Sequence, residues 1–251
     1  MLSARSLLVR GMLVGLAAGA VTFLFATFFG EGPVGQAIDF ESMHAAAHGE
    51  GDEHELFSRT VQSTVGLGTA TLVYGVALGG LFALVFAVAY GRIGRFSPRA
   101  TAALVALGGF LTVAFVPFLK YPANPPATGD PDSLGERTGL HFLMIVIAVA
   151  VGLLALYFGR WLHPRYGTWN ATIAAVGAFV VLIAIIQMAL PAINEIPEGF
   201  PASVLWEFRL ASLGTQLATW TVLGLLFGVV AGPRMRRRAA TTEEAAVGVG
   251  R

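Results

Sequence analysis

Six long apolar stretches alternate with polar connectors along the chain, near residues 7–29, 66–90, 100–119, 139–159, 171–190 and 208–231. Each approaches or exceeds the roughly 20 helical residues needed to cross about 30 Å of hydrocarbon. Lipid offers no partner to a free N–H or C=O, so a spanning segment must satisfy its backbone internally, and the pattern predicts helix in all six. Charge avoids their centres, with only Arg10 near the start of the first and Arg209 at the start of the last. The expected fold is all-α, a polytopic membrane helix bundle of about six transmembrane helices within residues 1–238. A small, polar tail over 239–251 is expected to be disordered. Arg5 and Arg10 precede the first apolar run as in a signal peptide. The run is long, however, and has no clear small-x-small cleavage pattern before Glu31, so it reads as a retained signal anchor.

Composition narrows the class. Apolar residues make up 55% of the chain and charged residues 12%, about half the charge of a soluble domain. The absence of cysteine removes disulfides, iron–sulfur clusters, thiolate nucleophiles and Cys-based zinc sites together.

Charge then sets orientation. With the N-terminus in the cytoplasm, the inner connectors and ends hold twelve basic residues: Arg5, Arg10, Arg92, Arg95, Arg99, Arg160, Arg165, Arg234, Arg236, Arg237, Arg238 and Arg251. The outer ones hold four, Arg59, Lys120, Arg137 and Arg209. That bias fits the positive-inside rule, and an even number of spans returns the C-terminus to the cytoplasm. Only Glu243 and Glu244 of the fifteen acidic residues fall inside, so the outer face carries a negative field that concentrates cations.

The spans group into three helical hairpins that are candidate repeats. Gly91-Arg92, Pro98-Arg99, Gly108-Gly109 and Pro122-Ala123-Asn124 can be set against Gly159-Arg160, Pro164-Arg165, Gly177 and Pro191-Ala192-Ile193-Asn194. True repeats of one orientation would imply a pseudo-symmetry axis along the membrane normal. Chance similarity between low-complexity helices accounts for the match equally well. Gly11, Gly15 and Gly19 on the first span and Gly224, Gly228 and Gly232 on the last clear one helix face at four-residue spacing. Such stripes permit close packing, and the two helices are expected to pack together or to form the seam of a homo-oligomer.

Candidate chemistry concentrates outside. The outer loop 30–60 contains Asp39, Glu41, Met43, His44, His48, Glu50, Asp52, Glu53, His54 and Glu55. His44 and His48 stand four apart, which on a helical turn places both imidazoles on one face. With Glu41, Asp52, His54 or Glu55 they suit a divalent ion such as Co²⁺, Ni²⁺, Zn²⁺ or Cu²⁺, among which imidazole and carboxylate discriminate little. A hydrated acidic loop in which these histidines bind nothing is the competing reading. His141 at the outer end of the fourth span, with Met144 three residues on, is a candidate way-station, although a histidine at a helix end is often satisfied by backbone or headgroups. His163, beside Trp161, reads as an interfacial anchor.

Glu136 with Arg137, and Glu207 with Arg209, are expected ion pairs at the outer surface. Glu195 and Glu198, beyond Gln187-Met188, are further acceptors for the same vestibule or simply a solvated loop. Four prolines within residues 122–131 forbid regular helix and strand and set a stiff connector that fixes its carbonyls and the Asn124 amide.

The run Lys120-Tyr121-Pro122-Ala123-Asn124-Pro125-Pro126, the Arg137-Thr138 beyond it, the His/acid-rich outer loop and the basic inner turns resemble the CbtA family of cobalt transporter subunits, over residues 1–238. The resemblance implies a prokaryotic inner-membrane protein with both termini cytoplasmic, cobalt uptake linked to cobalamin synthesis, and a small single-span CbtB-like partner with its own histidines. It assigns no ligand residues.

No Gly-x4-Gly-Lys-Ser/Thr phosphate loop occurs, so the chain itself is not expected to hydrolyse ATP. His-Glu-x-x-His, paired intramembrane aspartates and facing mid-membrane histidines are also missing from the sequence, which argues against a membrane hydrolase or a haem carrier. The expected function is a permease component for uptake of a divalent transition-metal cation, foremost cobalt, with nickel or zinc as options. No permanently bound cofactor and no nucleic-acid partner are expected, and the lipid bilayer is the constant one. In that reading the loop around His44 to Glu55 captures the ion and passes it to a vestibule of Asn124, Glu136, Arg137, His141, Met144, Glu207 and Arg209. Thr64, Thr71, Gln187 and Gln216 then offer neutral donors further in. The alternative is a non-transporting scaffold or accessory subunit, because the span interiors are nearly devoid of ionisable groups.

Overall fold

A computed structural model describes residues 4–48, 57–126, 128 and 133–248. Its architecture is all-α, 86% helical, with no strand among the described residues. The helices are α1 (Ala4–Phe25), α2 (Glu31–His48), α3 (Arg59–Val61), α4 (Leu67–Ala89), α5 (Pro98–Gly109), α6 (Val116–Lys120), α7 (Leu134–Ala189) and α8 (Ala202–Gly248). π-helical turns at Ala26–Gly30, Gln62–Gly66 and Phe110–Phe115 join α1 to α2, α3 to α4 and α5 to α6.

Five described helices are long and apolar enough to cross a membrane: Arg5–Ala46, Arg59–Ala89, Pro98–Lys120, Leu134–Ala189 and Ala202–Ala231. The 56-residue α7 carries the fourth and fifth apolar stretches and is broken at Gly167, whose φ of 72° and ψ of 171° leave helical space. A Cβ disfavours that conformation, so glycine serves as the hinge. Gly159 packs against Ala171 and Ala175, and Gly152 faces Phe179, so the two arms fold back on one another. Gly91, at φ 77°, makes the corresponding turn after α4. Gly159, its counterpart in the proposed repeat, lies inside a helix instead.

Two readings of the connectors are corrected. The stretch 30–60 is not a loop throughout, because α2 occupies Glu31–His48; its alanine, glutamate and methionine content favours helix. Helical backbone also continues to Gly248, through the tail expected to be disordered, where alanines and glutamates again favour it.

The chain divides into two compact units. One gathers Met1–Phe29, His54–Leu107 and Gly214–Arg251. Its principal contact is backbone against backbone between α1 and α4. A Cβ on Gly15 would overlap the Gly75 carbonyl oxygen, one on Gly11 would overlap that of Gly79, and one on Gly19 would lie 2.5 Å from that of Thr71. The partner of the first glycine stripe is therefore α4 rather than the last span. On α8, Gly224 meets Ala106, with a Cβ there 2.6 Å from the Ala106 Cβ, and Gly228 meets Arg99 and Ala102 of α5. The first and last spans do touch, but through side chains. The Thr22 and Thr219 hydroxyls lie 2.6 Å apart, one donating to the other while the acceptor donates to its own helix, at the Ala18 or the Thr215 carbonyl. Phe82, Phe86 and Phe227 fill the space between α4 and α8 edge to face.

The second unit gathers Gly30–Glu53 and Gly108–Leu213. Its main core holds Val116, Tyr121, Met144, Ala148, Val151 and Ile183. A smaller core seats Ala37 and Phe40 of α2 on Ile196, Phe200 and Val204.

Outward faces are apolar along the spans, as with Leu81, Val85 and Val88 on α4 and Leu153, Leu154 and Tyr157 on α7. Apolar exposure on that scale suits hydrocarbon rather than water. Replacing Gly15 by Ala forces α1 from α4 and is expected to cost about 1–3 kcal/mol. Gly32→Ala, where a Cβ meets nothing within 4 Å, should be neutral or stabilising. Loss of helical circular dichroism on heating in detergent measures both, and equal behaviour would contradict the packing described.

Candidate functional site

Polar side chains gather at the end of the second unit that carries the proline-rich connector. α6 ends where Tyr121 leaves helical space, and Tyr121 is buried. Its hydroxyl donates to the Pro191 carbonyl oxygen at 3.0 Å, tying the first connector to the segment after α7. Burial, and then the negative charge of Glu136, push the Tyr121 phenol above its ordinary range, so it stays a donor. Farther along, the buried Thr128 hydroxyl donates to the Pro125 carbonyl at 2.7 Å. The connector is thus tied at Tyr121 and turned on itself at Thr128, in a segment whose prolines forgo helical hydrogen bonds.

Glu195 is an enclosed charge, with its side chain 7% exposed. Arg137 Nη1 reaches Glu195 Oε2 at 2.6 Å, and the Ser133 hydroxyl donates to Oε1. The expected Glu136–Arg137 pair is replaced by this one, because adjacent residues on a helix point apart. The Glu207–Arg209 pair is corrected for the same reason: Glu207 is exposed, and Arg209 Nη2 donates to Asn124 Oδ1 at 2.9 Å. The Arg209 Nε is buried without a hydrogen-bond partner. Each of these two arginines thus anchors a connector, Arg137 the one after α7 and Arg209 the one after α6.

His141 is half-buried and hydrogen-bonds the Tyr121 backbone, so it belongs to the same cluster. Met144 does not line an open vestibule. It is fully buried among Val116, Tyr121, Ala148 and Ile183, where an unbranched thioether fills space. Glu136 is exposed. Gln187 Nε2 donates to the Val116 carbonyl at 2.9 Å, next to Pro117, which has no N–H to give. Thr64 and Thr71 donate to carbonyls of their own helix, at Thr60 and Leu67.

The proposed capture residues are only partly described. Glu41 and His44 are exposed on α2, and His44 stacks on Phe40 with ring centroids 5.8 Å apart. His48 ends α2, so its backbone stands one turn beyond His44. Asp52, His54 and Glu55 lie outside the described residues. Among the described residues no group of three or more His, Asp or Glu is placed to hold a metal ion. A groove of about 690 Å³ beside α3 and α4, lined by Phe57, Gln62, Val65 and Tyr74 among others, includes none of the expected site residues. Sequence reading missed the roles of Tyr121 and Ser133; the buried tyrosine lay in plain view within the proline-rich run, whereas Ser133 carried no signal.

These features define an all-α membrane protein with a polar cluster stapled by long-range hydrogen bonds. The family model described as "Probable cobalt transporter subunit (CbtA)" matches residues 4–232, and the chain belongs to that family. Comparison with curated proteins and with solved structures gives no match.

Removing one partner of the Arg137–Glu195 pair should destabilise the chain by about 2–3 kcal/mol, between the small value of exposed pairs and that of buried ones. Glu195→Gln and Arg137→Gln, singly and together, give a double-mutant cycle in thermal unfolding; additive losses would contradict direct coupling. Tyr121→Phe, which removes one hydroxyl, is expected to cost about 1 kcal/mol.

Proposed function

We propose that the chain is the membrane permease component of a system that takes up a divalent transition-metal cation, foremost cobalt. The observation that carries this reading is family membership over residues 4–232. Charge distribution supports it. Every Asp and Glu whose side chain is described (Glu31, Asp39, Glu41, Glu136, Glu195, Glu198 and Glu207) belongs to the second unit, and His44 and His141 lie there too. In this reading α2 and the residues after it face the outer medium and collect the ion. His44 and His48 contribute imidazoles from one helical face, with Asp52, His54 and Glu55 completing the donor set. Arg137 and Arg209 are already engaged by Glu195 and Asn124, so their role is to hold the entrance in shape.

Inward passage is the harder step. Thr71, Thr112 and Gln187 are already engaged with backbone carbonyls, and Met144 is packed. A dehydrated divalent ion needs fixed ligands, so the conducting path requires further surface from a second copy or from a small partner subunit. The word "subunit" in the family description accords with that. The same observation favours the second reading, an accessory subunit that scaffolds a transporter without conducting.

Two measurements separate these. Isothermal titration of the purified chain with Co²⁺, Ni²⁺ and Zn²⁺ should show binding that His44→Ala/His48→Ala weakens at least about tenfold, one ligand contact's worth or more; equal affinity would remove the capture site. Radioactive cobalt flux into liposomes, with and without a small single-span partner, should rise above empty vesicles in at least one arm. Metal binding without flux in either arm would favour the scaffold.

A further inference from the structure

Among its described side chains the first unit has cations and no carboxylate. Residues 4–29, 57–107 and 214–242 contain no Asp or Glu at all. Yet Arg5, Arg92, Arg95 and Arg99 are exposed and Arg10 half-buried at one end of it, and none of the five makes an ion pair among the described residues. Packing contacts bring them together. Gly11 packs on Ala83, which leads the N-terminal turn of α1 toward the end of α4. Arg10 Nη1 donates to the Val230 carbonyl of α8 at 3.3 Å, and Gly228 packs on the Arg99 backbone. The α4–α5 turn, the start of α1 and the end of the α8 span thus form one face.

The turn itself reads Arg92-Ile93-Gly94-Arg95-Phe96-Ser97-Pro98-Arg99, with arginine interleaved with apolar side chains. Phe96 is 47% exposed. Arg92 Nη1 bonds the Val88 carbonyl at 2.9 Å, which folds the guanidinium back along α4. Gly94, at φ 154°, lets the Phe96 ring close against the backbone where a Cβ would collide. α5 then begins with Ser97 Oγ accepting from the Ala100 N–H at 3.2 Å, and the helix N-terminus adds its own partial positive charge.

We infer that this face binds the phosphodiester of an anionic phospholipid in the leaflet it contacts. No carboxylate among the unit's described side chains supplies the counter-charge. A lipid fits better than a soluble anion for two reasons: the turn links two membrane-length helices and so lies at headgroup depth, and Ile93 and Phe96 offer apolar surface to the acyl boundary beside the arginines that meet the phosphate. Arg92, Arg95 and Arg99 supply planar donors that pair with phosphate oxygens.

The test uses the full chain in a neutral detergent, with thermal unfolding as the readout and three additives: short-chain phosphatidylglycerol, short-chain phosphatidylcholine and inorganic phosphate. Phosphatidylglycerol should raise the melting temperature and the other two should not. R92Q/R95Q/R99Q should weaken the apparent phosphatidylglycerol affinity about tenfold or more, and R92K/R95K/R99K should keep most of it. Should the glutamine variant not fold, the lysine variant and the wild-type lipid series still decide. An equal response to phosphatidylcholine, an equal response to inorganic phosphate, or an undiminished response in a folded glutamine variant would each overturn the inference.

Discussion

Hydrocarbon supplies no hydrogen-bond partners, and that constraint accounts for most of what the chain does with its polar atoms. Thr71, Thr112 and Thr172 return their hydroxyl protons to carbonyls one turn back, at Leu67, Gly108 and Thr168. Thr22 and Thr219 share one proton between helices. Gln187 donates to the backbone of α6 near Pro117. With no hydrophobic force between helices in lipid, close contact comes from small residues instead, and Gly11, Gly15 and Gly19 let the α1 backbone touch that of α4.

The same constraint explains where charge survives. It gathers in the connectors and near the ends of the apolar runs. The carboxylates with described side chains belong to one unit, and the arginines around the α4–α5 turn belong to the other. Inside the acid-bearing unit two arginines are engaged: Arg137 by an enclosed carboxylate and Arg209 by an amide oxygen. That arrangement ties the connectors through non-local bonds, since each of those pairs joins residues more than 50 positions apart.

The long apolar runs were legible in the sequence because hydrocarbon thickness leaves few ways to arrange them, and even the hinge at Gly167 fell between two predicted spans. Partner choice was not legible. The glycine stripe on α1 matches the one on α8 in spacing, but spacing cannot say which neighbour will be antiparallel and near, and Gly75 and Gly79 took that place. Likewise Arg137 stands next to Glu136, and chain adjacency suggested a pair that helical geometry forbids. The outer stretch looked like a loop because it is acidic, although its alanines, glutamates and methionine favour helix as far as His48. His44 and His48 stand one turn apart on α2, and their use as ligands rests on residues beyond them.

The central claim is sidedness: α2 faces the outer medium while the arginine-bearing turn after α4 faces the cytosol. The natural absence of cysteine makes single-cysteine labelling clean. Ser42 and Arg95, both exposed, are replaced in separate variants and treated with a membrane-impermeant maleimide on spheroplasts. The account predicts that Ser42→Cys labels in intact spheroplasts and Arg95→Cys only after lysis. Labelling in the opposite order would contradict it.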